Sequence, residues 1–125
     1  VTSRFAQWTI DVLDSRKMAA FWSQALGYEI EHDGSSPHLW PPSDAPSGSL
    51  TVWLQETGEP KNGKNRNHPD LHVPDGQVDE EVERLIGLGA RRVDVGQRGD
   101  EGFVVLADPE GNEFCLLYRR HPQGA

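Results

Sequence analysis

Apolar residues recur at helical spacing in two segments of the chain. Met18, Phe21, Trp22, Ala25 and Leu26 occupy positions i, i+3, i+4, i+7 and i+8, which sets them on one stripe of a helix. Asp14 or Ser15 can cap its start through a side-chain oxygen, and Gly27 follows the last apolar residue, where a left-handed conformation ends a helix. The second segment puts Val78, Val82, Leu85 and Ile86 on one face. Its first turn holds Asp79, Glu80 and Glu81, where the helix dipole favours negative charge, and Gly89 ends it.

Both helices stop at a Leu-Gly pair, Leu26-Gly27 and Leu88-Gly89, and the pairs lie about half a chain apart. Short alternating runs surround each helix in the same order: 7–12, 28–32, 37–40 and 50–56 in the first half, and 68–73, 91–95, 103–107 and 112–119 in the second. The order reads βαβββ twice, an α+β fold. The run at 37–40 is the weakest, because 35–48 is rich in Pro, Ser and Gly. Asp108-Pro109-Glu110-Gly111 fits a turn with Pro second and Gly fourth. We expect one domain over 1–125, made of a first module at 1–57, an exposed crossover at 58–66 and a second module at 67–121.

Side chains two apart on a strand share a face. Trp8, Ile10 and Val12, then Val52 and Leu54, Leu71 and Val73, and Phe114 and Leu116 form the helix-facing sets. Their opposites are Gln7, Thr9 and Asp11; Thr51, Trp53 and Gln55; His68, Asp70 and His72; and Glu113, Cys115 and Leu117. Four strands therefore turn a mixed polar face to one side, and pairing the open faces of two modules would enclose a cavity.

Composition narrows the function classes. The 125 residues carry a net charge of −8 and the sequence pI is near 5.0, which opposes a phosphate-binding surface, so nucleic acid is not an expected partner. No apolar run is long enough to span a bilayer, and the amino terminus lacks the apolar core of a secretory signal. A cytoplasmic location is the default. The single cysteine, Cys115, cannot form an internal disulfide or a multi-thiolate zinc site.

Several motifs together resemble the vicinal oxygen chelate superfamily of glyoxalases, bleomycin-resistance proteins and extradiol dioxygenases, and most of all a bacterial glyoxalase-like subgroup. They are Asp14-Ser15 leading into Ala20-Phe21-Trp22-Ser23-Gln24-Ala25-Leu26-Gly27-Tyr28, Asn67-His68-Pro69-Asp70-Leu71-His72-Val73, Leu88-Gly89-Ala90, and the closing Ala107-Asp108-Pro109-Glu110-Gly111-Asn112-Glu113-Phe114-Cys115-Leu116-Leu117. The resemblance implies two βαβββ modules with curved sheets around a central cavity, a small-molecule ligand or substrate, and a homodimer. In metal-dependent members the ligands come from the first and last strands of each module. The matching positions here are Gln7, Gln55, His68 and Cys115, where the family favours His and Glu. Two neutral amide oxygens, an imidazole and a thiol make an uneven set for a hard divalent metal, so the cofactor stays unassigned.

The remaining candidates have smaller roles. His68, Asp70 and His72 alternate on one strand and offer two imidazoles and a carboxylate, but a single extended strand does not readily wrap three ligands around one ion. His68 is then a polar anchor or general base with Asp70 as its orienter, and His72 lies at the rim. Trp53, beside Gln55, could stack a flat ligand. No basic residue is placed by sequence to activate Cys115. Lys61, Lys64 and Arg66 read as solubilising loop charge. Gln7, Asp11, Trp53, Gln55, Asp70, His72 and Cys115 are thus the expected cavity residues around His68. Two function classes stay open: a glyoxalase-like protein handling a small organic molecule, as a lyase or isomerase if active, or a non-enzymatic protein that binds and sequesters an antibiotic-like molecule.

Overall fold

The computed structural model describes residues 1–32, 36–74, 76–94, 98 and 102–118. The chain divides into two compact units, Val1–Pro60 and Lys61–Ala125. The first holds β1 (Gln7–Val12), α1 (Ser15–Leu26), β2 (Glu29–Glu31), β3 (His38–Trp40) and β4 (Thr51–Glu56). The second holds β5 (Asp70–His72), α2 (Val78–Leu88), β6 (Arg91–Arg92), β7 (Phe103–Ala107) and β8 (Glu113–Leu117). Among the described residues each unit forms one four-stranded sheet, ordered β1-β4-β3-β2 and β5-β8-β7-β6. The outer pairs β1–β4 and β5–β8 are parallel and the others antiparallel. This is the βαβββ order expected twice from the sequence. Positions 95 and 119, the ends of two expected strands, lie outside the described residues.

Helix α1 starts and stops for local reasons. Asp14 is extended, and its Oδ1 accepts the Lys17 amide at 3.1 Å. Ser15 makes a tertiary contact instead: its hydroxyl donates to Glu56 Oε2 at 2.7 Å, tying the first turn to the end of β4. Gly27 closes the helix at φ 71° and ψ 31°, with its N–H returning to the Ser23 carbonyl. Four of the five residues of the predicted stripe, Met18, Phe21, Trp22 and Ala25, are buried with Ile10, Val12, Leu39, Val52 and Leu54, and Leu26 at the helix end is half-buried. Trp22 meets Trp8 and Phe21 edge-on, at centroid distances of 5.0 and 5.1 Å. Burying Phe21 or Leu54 stabilises the unit by about 1.5–3 kcal/mol each.

Helix α2 buries a narrower stripe, Val82 and Leu85, and ends at Gly89 with φ 127°. Its sheet is registered by the turn before β8. There the Gly111 amide donates to the Asp108 carbonyl at 2.8 Å. Asp108 is 1% exposed, and its Oδ1 accepts the amides of Glu110 and Asn112 at 2.9 and 3.0 Å. Both carboxylate oxygens also take the Asn112 side-chain amide at 3.1 Å. A buried charge is tolerated because it is satisfied this fully. With β8 started there, Phe114 and Leu116 enter the core while Glu113, Cys115 and Leu117 take the opposite face. No helix among the described residues is long and apolar enough to cross a membrane.

Candidate functional site

The chemistry of the second unit gathers where β5 lies beside β8. Asp70 and Cys115 are register partners of this parallel pair, and the Cys115 amide donates to the Pro69 carbonyl at 3.1 Å. His68, two residues before Asp70, places Nε2 at 3.1 Å from Asp70 Oδ1. One donor atom each from His68, Asp70 and Cys115 lies within 4.8 Å of the other two. Burial pushes the Cys115 thiol up to about 11, the negative charge of the neighbouring Asp70 adds to this, and Lys64 opposes it. The thiol is therefore protonated at neutral pH.

These three groups open into a pocket of about 320 Å³. Phe103, Val105 and Leu117 supply apolar wall, and Lys64 and Glu113 complete the polar part. Glu113 is buried; Lys61 Nζ lies 3.1 Å from its Oε2 as an ion pair outside hydrogen-bond geometry, and the Asn65 amide donates to Oε1 at 3.3 Å. Lys61 also donates to the Gly63 carbonyl. Burial pushes the Glu113 carboxyl up, but Lys61 and the surrounding backbone amides outweigh that and hold it below the usual carboxylate range.

His72 is not in this cluster. Strand β5 ends there, and His72 lines a separate depression with Gln77, Glu80 and Glu81 at the start of α2. The carboxylate and two imidazoles of one strand thus do not converge, and the third donor beside His68 and Asp70 is Cys115 from β8.

In the first unit, Gln7, Thr9 and Asp11 lie opposite Thr51, Trp53 and Gln55. Thr51 Oγ1 donates to Gln7 Oε1, and Gln7 Nε2 donates to Thr9 Oγ1, each at 3.2 Å. Gln7 and Gln55 are four residues apart along this parallel pair, on the order of 13 Å. They do not meet, and the Gln7 carbonyl oxygen is already occupied. Trp53 is fixed by a 3.2 Å bond from Nε1 to the Ser36 carbonyl and stacks on His38, with centroids 5.5 Å apart and planes 3° from parallel. His38 also stacks on Trp40 at 6.0 Å, and its buried Nδ1 has no hydrogen-bond partner among the described residues.

Sequence reasoning passes over Glu113, Lys64 and His38 as site residues. Alternation with Cys115 does signal Glu113. Lys64 lies in a loop with no periodicity to orient it, and His38 lies in the Pro- and Gly-rich stretch where the strand signal is weakest.

A divalent metal is implied by the superfamily resemblance, so the donors must be tested against one. One nitrogen, one oxygen and one sulfur within mutual reach suit a borderline ion such as zinc. A hard cation that seeks six oxygens finds far fewer here.

Comparison with solved structures shows the same fold. A variant of the fosfomycin resistance protein FosX from Listeria monocytogenes, complexed with Mn(II) and 1S,2S-dihydroxypropylphosphonic acid, superposes with a TM-score of 0.76 at 23% identity, covering 98% of this chain and 95% of that one. FosX from Mesorhizobium loti gives 0.70 at 19% identity, covering 93% and 92%. A glyoxalase/bleomycin resistance protein/dioxygenase family enzyme from Burkholderia phytofirmans gives 0.67 at 20%, covering 89% and 94%. No curated protein matches the sequence significantly. The family model described as a glyoxalase-like domain matches residues 7–117, and the chain belongs to that family, within the vicinal oxygen chelate superfamily.

Proposed function

We propose that the pocket of the second unit binds a small organic molecule, with His68 as its polar anchor, and that the protein acts on it as a glyoxalase-like lyase or isomerase. The observation that carries this reading is the joining of an oriented imidazole to an apolar wall in one pocket of ligand size. Asp70 Oδ1, 3.1 Å from Nε2, orients the ring and leaves Nδ1 as the other ring nitrogen able to meet a ligand. Such a ring can accept a proton or a hydrogen bond from a ligand beside Phe103 and Val105. Asp70 holds the ring in place, and Cys115 lies beside Asp70 as its register partner. A divalent ion, when bound, would supply Lewis-acid polarisation of a ligand oxygen, and His68, Asp70 and Cys115 would hold it.

The second reading, sequestration without chemistry, is supported by the His38, Trp40 and Trp53 stacks of the first unit, where Trp40 is exposed. A thermal-shift screen of small carbonyl and carboxylate compounds, run with chelator on wild type and His68→Ala, tests the leading reading. Hits that stabilise only wild type support it, and hits that stabilise both equally overturn it. Mass spectrometry of recovered hits separates the classes, since an enzyme returns product and a sequestering protein returns the compound unchanged. The superfamily resemblance also supports a homodimer, which light scattering at micromolar concentration checks against the single-chain mass.

A further inference from the structure

We propose that Lys64 makes the pocket of the second unit selective for small organic anions of single charge, carboxylates with an apolar body, over neutral and doubly charged ligands. The inference rests on the pocket reading and names the ligand class of that pocket. Its two carboxylates already have partners, since Asp70 Oδ1 lies 3.1 Å from His68 Nε2 and Glu113 Oε2 lies 3.1 Å from Lys61 Nζ. Lys64 is the cation left over. It lines the pocket, and no carboxylate among the described residues lies within ion-pair distance of its ammonium. A ligand carboxylate can pair with it without displacing a bond the protein makes, while Phe103, Val105 and Leu117 cover the apolar body. A second negative charge on the ligand meets Asp70 and Glu113 instead, and both repel it.

Lys64 sits in the loop that leads into β5, and an exposed loop lysine gains little from an anion if the loop must first be ordered. Here the order is built in. Lys61, before it, holds Glu113 Oε2, and the amide of Asn65, after it, donates to Glu113 Oε1 at 3.3 Å. One buried carboxylate of β8 thus grips the loop on both sides of Lys64. The grip fixes the backbone and the lysine side chain supplies the reach, so that its charge is felt at Cys115, another lining residue. Glu113 is therefore a positioning residue, and Lys64 is the group that meets the ligand. The charge of Glu113 also weighs against dianions.

The test is ligand-observed NMR titration of the full chain with benzoate, phenylacetate and pentanoate, each beside its primary amide and its phosphonate counterpart. Chelator is present so that no metal holds the anion, and the buffer is mildly alkaline and low in salt, so that the phosphonates carry two charges. We expect at least one carboxylate to bind about tenfold more tightly than its amide and its phosphonate. Salt should shrink that preference. Lys64→Met, a change on an exposed loop, should remove the preference over the amide, Lys64→Arg should keep it, and Lys17→Met on α1 should leave it as in wild type. Glu113→Gln, which removes a repelling charge and frees Lys61, should bring the phosphonate up toward the carboxylate. Equal binding of carboxylate and amide, a phosphonate preferred in wild type, a preference that survives in Lys64→Met, or no carboxylate binding at all overturns the proposal. Amides that bind wild type and fail on His68→Ala, with no gain for the carboxylates, remove this inference and leave the pocket reading. A carboxylate preference that needs Lys64 and ignores His68→Ala removes His68 as the anchor and leaves this inference.

Discussion

Asp70 and Cys115 face each other across the parallel β5–β8 pair, and the first unit sets Thr9 and Trp53 in the matching relation across β1–β4. The two units therefore share a backbone plan and differ in chemistry. One carries a carboxylate and a thiol with an imidazole alongside, and the other carries a hydroxyl and an aromatic ring.

Gly27 ends α1 at φ 71°, and nothing lies within 4 Å of where its Cβ would be. The cost of Gly27→Val is thus a backbone cost alone, about 1 kcal/mol or more, with Gly27→Asn costing less. Gly89→Val, at φ 127°, should be destabilising as well. Thermal melts check all three, and unchanged midpoints for both valine variants would contradict the helix ends described above.

Asp108→Ala should destabilise the protein by about 1–3 kcal/mol, because it leaves the buried Asn112 amide and two backbone amides without their acceptor. Urea unfolding measures the loss. A change within a few tenths of a kcal/mol would mean that the turn holds itself without the carboxylate.

The Glu113 carboxyl titrates below its ordinary value in the folded chain, so its ion pair with Lys61 stabilises the fold above the unfolded carboxylate range and fades as pH falls through the depressed value. Glu113→Gln should be less stable than wild type at neutral pH, and the gap should close on acidification below about pH 4. Melting temperatures across an acid series read this directly. A gap independent of pH would assign the effect to packing.

Cys115 behaves with the opposite sign. Its thiol is raised to about 11 in the folded chain, against about 8.5 in an unfolded one. Unfolding therefore releases a proton in that window, and wild type should lose stability as pH rises through it, with chelator present. Cys115→Ser should show a flatter alkaline limb in the same melts.

Much of the fold is legible in the residues. Gly27 and Gly89 mark helix ends because an apolar stripe stops at each, and alternation alone assigns Phe114 and Leu116 to the core and Cys115 to the other face. Legibility fails where a residue's place depends on strand length or chain reach. Nothing local says that β5 stops at His72, or that the ladder sets Gln55 against Asp11 and far from Gln7. Lys61 reads as loop charge because its partner, Glu113, is 52 positions away in the chain and meets it only through the fold.

Calorimetric titration of the best small-molecule hit into wild type, His68→Ala and His72→Ala decides whether the pocket of the second unit is the functional site. If His68 anchors the ligand, its removal weakens binding by about 1–3 kcal/mol while the fold and the His72→Ala affinity stay as in wild type. Equal affinities for wild type and His68→Ala would contradict the assignment of this pocket.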